Sequence, residues 1–409
     1  MKGTGYKMLM MKKRSLALII IIFMVISSVG TGAVLLVTGI STKNLVVISK
    51  EDYTDYQSIK KNYATLADLE KYIHKNYYIP VKDSALKEGI YKGLFMGIGD
   101  PYSSYLTKKE YDDIMTSSSG EFQGIGVTIA PDENGFINVI SPIEDTPAAR
   151  AGIKAGDKIV KVNDKEYSAA TINDAVTAMR GEPGTKVTIS VLRKGSSINY
   201  ELIRSNIVLK SVKSEVLANN IGYIRITTFD EKTGAEFKSH LRDLEIAKVK
   251  GIVLDLRDNP GGVVDASIEI ADALLGAGVI TYTEDRAGNK VYYKSDASKL
   301  TIPYVVLINK GSASASEILA GAIKDFKSAK LVGETTFGKG IIQRITPYGD
   351  QGGGIKLTVM QYFSPNGTVI HKKGVAPDIK VDILETDYIN GLLPRANDRQ
   401  LKKAIELLK

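Results

Sequence analysis

Ser314 lies in the run Gly311-Ser312-Ala313-Ser314-Ala315-Ser316-Glu317, and further on Lys339 stands between Gly338 and Gly340. A serine hydroxyl is a weak nucleophile until a base takes its proton. The chain has three histidines, His74, His240 and His371, and none lies in a segment built for that task. The base the sequence offers is therefore the lysine. A neutral amine can do this work only if its pKa falls from about 10.4 towards 7–8, a difference of roughly 4 kcal/mol. Burial among apolar groups supplies a shift of that size, and Phe337, Ile341 and Ile342 flank Lys339. Gln343, four residues beyond, reads equally as a group that orients the amine through its carbonyl oxygen and as a solvated strand residue.

The elements around these residues are legible. Tyr304-Val305-Val306-Leu307-Ile308 reads as a strand, and Ile318, Ala322 and Phe326 recur at helical spacing behind it. Ser314 thus opens a helix, where Ser314 with Glu317 forms a capping box. A tetrahedral oxyanion needs two donors. Asp258-Asn259-Pro260-Gly261-Gly262 follows the apolar strand Gly251-Ile252-Val253-Leu254-Asp255-Leu256 and exposes unhindered amides, while Ala315 offers the amide after the nucleophile. Gly261 or Gly262 is then paired with Ala315. The rival base is His371, which follows Asn366-Gly367-Thr368-Val369-Ile370 and reads as a residue on a hairpin arm.

Residues 206–388 alternate strands such as Gly222-Tyr223-Ile224-Arg225-Ile226 with helices such as that through Ile268, Ala271 and Leu274. Near-continuous apolar runs are the mark of parallel strands covered on both faces, so this part is an α/β core with crossover connections. Residues 122–204 have another texture. Gly126–Ile129 and Phe136–Ile140 read as strands about an Asn134-Gly135 turn, Lys158–Val162 alternates, Ile172, Ala175, Val176 and Met179 mark a helix, and Lys186–Val191 ends the unit. Leu66, Leu69, Ile73 and Tyr77, then Leu86, Ile90, Leu94 and Ile98, predict two amphipathic helices. Residues 43–61 read as a stalk, Thr116–Gly120 as a hinge or loop, and Ala396–Lys409 as a terminal amphipathic helix.

The net charge of +8 is misleading. Lys2, Lys7, Lys12, Lys13 and Arg14 stand in the first 14 residues without an acid, and the remainder carries only about +3, so nucleic acid is not an expected partner. Ser15 to Ile40 contains no ionisable residue. It is long enough to span a bilayer, and the preceding charges keep its N-terminal side in the cytoplasm. A single-pass anchor with an extracytoplasmic body is expected. Secretion after signal cleavage is the alternative, because Ser27–Ala33 supplies small residues. With no cysteine, no disulfide framework or thiolate site exists. No cofactor is expected: the chain lacks a His-x-x-x-His pair, a carboxylate-rich loop for a metal and a Gly-x-x-x-x-Gly-Lys-Ser/Thr run for ATP.

Two stretches, Phe122-Gln123-Gly124-Ile125-Gly126-Val127 and Pro147-Ala148-Ala149-Arg150-Ala151-Gly152-Ile153-Lys154-Ala155-Gly156-Asp157, resemble a PDZ domain. Gly124, Ile125, Gly126 and Val127 correspond to its carboxylate-binding loop, whose successive N–H groups take a peptide's C-terminus while a strand edge pairs with the peptide. Leu254–Gly262, Gly311–Glu317, Gly333–Gly340, Gly374-Val375-Ala376-Pro377-Asp378 and Asp100-Pro101-Tyr102-Ser103 together resemble the carboxyl-terminal processing peptidases, or tail-specific proteases. The resemblance implies Ser314 as nucleophile, Lys339 as general base, Gln343 as the lysine's support, and Gly261 or Gly262 with Ala315 as oxyanion hole. It also implies an α/β fold: a crotonase/ClpP-like spiral protease core with an inserted, gating PDZ domain, and homodimers through terminal helices. Protein or peptide substrates with apolar C-termini are the expected partners. The expected division is 1–42 for the cytoplasmic tail and anchor, 43–119 for stalk and helices, 120–205 for the PDZ domain, 206–388 for the core and 389–409 for the C-terminal helix. The competing class is a tethered PDZ scaffold with an inert core.

Overall fold

The computed structural model describes residues 12–41, 48–297, 299–349, 352–389 and 393–409, with the side chains of 35–41 left aside. Lys2, Lys7, the apolar side chains after Val34 and the first part of the expected stalk lie outside this description. The chain divides into two compact units, Met1–Lys87 and Glu88–Lys409.

In the first unit, a helix over Lys13–Ser41 contains a 22-residue stretch, Lys13–Val34, long and apolar enough to cross a membrane. The next helix, Lys50–Asn76, is capped by Ser49, whose hydroxyl accepts the Asp52 N–H at 3.0 Å. The stretch read as a stalk is therefore helical from Lys50 onward, because the Ser-x-x-Asp cap starts the helix well before its apolar repeat. Helix Asp83–Met96 begins here and continues past Lys87 into the second unit, and neither it nor Lys50–Asn76 buries a residue.

In the second unit, helix Lys108–Ser119 is capped by Thr107 and closed by Gly120 in the left-handed region, φ 68°. Thr116–Ser119 is thus the helix's last turn, and the expected loop shrinks to Gly120. Strands Glu121–Gly124 and Ser205–Val208 then pair antiparallel as a two-stranded ribbon. Between them lies a six-stranded sheet of Val127–Pro131, Ile137–Pro142, Lys158–Val162, Lys165–Glu166, Lys186–Arg193 and Ser196–Ile203. Helix Ile172–Met179 packs Ala175 and Met179 onto its core of Ile137, Ile159, Ile189 and Val191. The strand Ser196–Ile203 was not signalled, since its residues are mostly polar and exposed.

A second six-stranded sheet runs in the order Val212–Leu217, Ile221–Ile226, Gly251–Asp255, Tyr304–Ile308, Lys330–Gly333, Ile379–Lys380. All neighbours but the first pair are parallel. Helices Thr233–Ile246, Val264–Leu274 and Ala315–Phe326 make the crossovers. The continuous apolar strands follow from burial on both faces. Alternate residues Leu254, Val306 and Ile308 meet Ile270, Ile318 and Leu319 on one face. Val253, Val305, Leu307 and Val332 meet Leu401 and Ala404 of the terminal helix on the other. That helix spans Arg399–Glu406, shorter than its apolar repeat, because Asp398 caps it by accepting the Leu401 N–H at 2.9 Å. A further sheet holds Ser104–Leu106, Gly278–Asp285, Lys290–Ser295, Ile341–Tyr348 and Gly353–Phe363.

Three adjacent parallel strands matter most. Gly251–Asp255, Tyr304–Ile308 and Lys330–Gly333 end on the same edge. The loops that leave those ends carry Gly261 and Gly262, Ser314, and Lys339 respectively. Crevices at the carboxyl ends of parallel strands are where α/β sheets assemble sites.

Candidate active site

Ser314 has φ 55° and ψ −115°, a left-handed conformation rarely adopted by a residue with a side chain. Such a conformation costs on the order of 1–3 kcal/mol and persists only where the surroundings impose it. Here they do. Its N–H donates to Glu317 Oε2 at 2.9 Å. Its carbonyl receives the Glu317 and Ile318 N–H groups at 2.8 and 3.0 Å and the Tyr362 hydroxyl at 3.0 Å. The Ser314 hydroxyl makes no cap hydrogen bond. The capping motif read from the sequence therefore works through Glu317 and leaves the serine oxygen uncommitted.

Glu317 is fully buried. Besides Ser314, its carboxylate accepts the Thr336 hydroxyl at 2.5 Å, the Gly338 N–H at 2.6 Å and the Lys339 N–H at 2.7 Å. One carboxylate thus fastens the serine's peptide unit to the lysine's. Tyr362, also fully buried, does the same from the carbonyl side, its hydroxyl touching the Ser314 and Lys339 carbonyls. The sequence signalled Glu317 only as half of a cap and Tyr362 not at all.

The glycine loop is stitched to the serine loop residue by residue. Asn309 accepts the Asp258 N–H at 2.9 Å and donates to the Asp258 carboxylate at 2.8 Å. The Ser312 hydroxyl donates to the Leu256 carbonyl at 2.8 Å, and the Ala313 N–H and Ser316 hydroxyl both reach the Asn259 carbonyl at 3.0 Å. Gly261 lies so close that a β-carbon there would stand 2.7 Å from Ser314 Cβ and 2.8 Å from the Ala315 nitrogen. The two candidate glycines differ. Asn259 Oδ1 accepts the Gly261 N–H at 2.9 Å, whereas the Gly262 and Ala315 N–H groups have no acceptor among the described residues.

Lys339, Gln343, Gly261, Gly262 and Ser314 line one cavity of about 270 Å³, together with Ile114, Ser118, Val264, Ile341, Ile345 and Lys356. Burial holds the Lys339 amine below the ordinary lysine range, and the like charge of Lys356 lowers it further, while Asp100 and Glu317 oppose the shift. Phe337, expected to help bury the amine, is exposed; the aromatic group against Lys339 is Tyr102, whose ring centroid lies 4.9 Å from Nζ. Lys339 and Ser314 are not hydrogen-bonded to each other, and Gln343 donates to the Thr358 hydroxyl at 3.2 Å rather than contacting the amine. Catalytic hydrogen bonds are often long before substrate arrives. Asp100 is held below the usual carboxylate range: burial pushes it up, but hydrogen bonds from Ser103, Thr358 and the Tyr102 N–H outweigh that. His371 is absent from the cavity lining. Its backbone packs on Gly340 and its Nδ1 has no partner among the described residues.

The loop Gly124–Val127 borders a second cavity, about 300 Å³, lined also by Phe122, Ile129, Ile143, Met179 and Leu209. The Ile125 and Gly126 carbonyls accept the Ala148 and Ile143 N–H groups, but the Ile125 and Gly126 N–H groups have no acceptor among the described residues. Gly126 has φ 78°, and a β-carbon would sit 2.4 Å from Thr146 Cβ. No other residue fits there without moving Thr146.

Residues 220–381 match the model of Peptidase family S41, and residues 139–193 that of a PDZ domain. The carboxy-terminal-processing protease of Bartonella bacilliformis is 39% identical over 349 residues, which are 83% of this chain and 80% of that protein. The carboxy-terminal processing protease CtpA of Bacillus subtilis is 39% identical over 314 residues, 76% of this chain and 67% of that protein. Among solved structures, the photosystem II D1 C-terminal processing protease aligns with 27% identity and a TM-score of 0.47 over 86% of this chain and 100% of that one.

The Glu317 contacts lead to a direct expectation. Glu317→Gln keeps the size but replaces a charged acceptor by an amide with one acceptor oxygen, and hydrogen bonds to a charged group contribute about 1.5–3 kcal/mol each. A loss of roughly 2–3 kcal/mol is expected, read as a lower urea midpoint; an unchanged midpoint would contradict the role given to the carboxylate.

Proposed function

Because this chain belongs to the carboxy-terminal processing proteases of peptidase family S41, serine peptidases that here carry a PDZ domain, we propose that Ser314 and Lys339 form its catalytic dyad. The single observation that carries this reading is the cavity in which Ser314 and Lys339 meet next to two unengaged amides, those of Gly262 and Ala315. In this reading neutral Lys339 takes the Ser314 proton as the oxygen attacks the scissile carbonyl. The Gly262 and Ala315 N–H groups receive the oxyanion, because the Gly261 amide is engaged by Asn259. Lys339 then gives the proton to the leaving amine, an ester to Ser314 remains, and water activated by the same amine releases the acid. Gln343 lines the cavity beside Lys339 and orients the amine once it leaves the Tyr102 ring.

The substrate is a protein or peptide whose apolar C-terminus enters the groove at Gly124–Val127. The free Ile125 and Gly126 amides support carboxylate capture there, and Ile129, Ile143 and Met179 support a preference for apolar tails. The apolar helix Lys13–Val34 supports a single-pass anchor, or a signal that is cleaved, with the protease outside the cytoplasm. The helices Lys50–Asn76 and Asp83–Met96, which bury nothing within the chain, support pairing of two copies through terminal helices.

Ser314→Ala and Lys339→Ala, assayed on an unfolded protein with an apolar C-terminus, are each expected to lower kcat by at least about 10³-fold; near-normal turnover by either removes the assignment. The pH profile gives a separate check. The base must be neutral, so activity rises with pH through the Lys339 pKa, and the depressed pKa extends activity to lower pH. Lys356→Met removes the neighbouring like charge, raises that pKa, and is expected to move the acidic limb of kcat/KM to higher pH; an unmoved limb would refute the coupling. For the groove, Gly126→Val is expected to raise KM for the tailed substrate about tenfold, equivalent to about 1.4 kcal/mol, and an unaltered KM would exclude tail capture at this loop.

A further inference from the structure

We propose that Tyr362 is a positioning residue for the peptidase reaction, its buried hydroxyl holding the backbone of Lys339 in register with that of Ser314. The inference rests on the dyad reading given above. Tyr362 lies in strand Gly353–Phe363, in a different sheet from the strands that precede Ser314 and Lys339. Its ring is fully buried, and its hydroxyl touches the Ser314 carbonyl at 3.0 Å and also the Lys339 carbonyl. Burial, aided by the charge of Glu317, holds its pKa well above the ordinary tyrosine value. The group is therefore a neutral donor whose one proton is shared between two carbonyls.

The two carbonyls are not equally dependent on it. That of Ser314 also receives the Glu317 and Ile318 N–H groups. That of Lys339 has no other donor among the described residues. The Lys339 peptide unit is thus fixed at its N–H by Glu317 and at its C=O by Tyr362 alone. Lys339 lies between two glycines, so its own neighbours do little to restrict the backbone. Among the described residues its amine has no hydrogen-bonded partner that would locate it instead, only the Tyr102 face. Where the amine points is set by the backbone that carries it, and on its carbonyl side that backbone is held by one phenol. The Tyr362 N–H also donates to the Gly340 carbonyl at 3.1 Å, a contact that a change of side chain leaves in place.

Tyr362→Phe removes only the oxygen. Misplacing a catalytic group by about 1 Å can cost 10²-fold in rate. On a short peptide substrate, kcat is expected to fall about 10- to 100-fold with KM within about twofold of the parent, and the rate of Ser314 acylation by a fluorophosphonate probe is expected to fall by the same factor. Phe237→Leu, which loosens the same core at helix Thr233–Ile246, is the control for stability and is expected to keep kcat. Ser314→Ala and Lys339→Ala are assayed alongside. If either of those retains turnover, the dyad reading fails, whatever Tyr362 does. If both are inactive while folded Tyr362→Phe keeps kcat within about threefold, or changes KM alone, or loses no more than Phe237→Leu at a matched thermal midpoint, the positioning role is overturned and the dyad stands.

Discussion

The carboxylate of Glu317 is the contact on which the site depends. It sits in the first turn of helix Ala315–Phe326, fully buried, with four donors from two stretches of chain around it. A buried carboxylate without partners would be prohibitively costly. With four, it becomes a fixed point that the serine loop and the lysine loop must both meet. The left-handed Ser314 backbone is tolerable because this carboxylate takes its N–H while Tyr362 and two helix amides take its carbonyl. A serine held through its main chain keeps its hydroxyl unbound, which a cap residue ordinarily does not.

The same principle extends to the glycine loop and beyond. Asn259 is buried and uses its side chain to bind the Ile226 carbonyl and the Gly261 N–H, at 2.9 Å each, so that the loop's shape is set from inside. Arg257, at the start of the loop, is buried between Asp255 and Asp398, with Gln400 also accepting from it. The terminal helix thereby grips the root of the loop some 140 residues earlier in the chain. Breaking a buried pair of this kind typically costs about 3–5 kcal/mol, because it leaves a charge unpaired. The terminal helix is thus part of the scaffold of the glycine loop.

The PDZ domain joins the peptidase through few connections. The ribbon of Glu121–Gly124 and Ser205–Val208 carries both crossings, and the ion pair of Lys232 with Glu121 fastens it to the core. Helix Lys108–Ser119 touches both cavities: its Asp113 lies 3.5 Å from Arg180, which lines the cavity at Gly124–Val127, while its Ile114 and Ser118 line the cavity shared by Ser314 and Lys339. A narrow ribbon beside a shared helix gives the two sites a common neighbour without fusing their cores.

Much of this was open to reading along the chain. The apolar strands 251–256 and 304–308, the helix behind Ser314 and the helix Ile172–Met179 carry their own period, and Ser314, Lys339 and the glycine loop stand in runs whose composition is chemically unusual. Local turn and cap chemistry was less decisive. Thr116–Ser119 looked like a loop but continues a helix, with the Ser117 and Ser119 hydroxyls donating back to the Asp113 and Thr116 carbonyls. What only the tertiary structure decided is which polar atoms meet. It turned Gly261 and Gly262 from equivalent choices into one engaged amide and one open amide, replaced Phe337 by Tyr102 as the ring against Lys339, and set Gln343 on Thr358. It also brought in Tyr362, which nothing in its own strand distinguishes. The reason is physical: period and propensity are properties of neighbours in sequence, whereas the partner of a buried hydrogen-bonding group is chosen among residues that meet only after the sheets have packed.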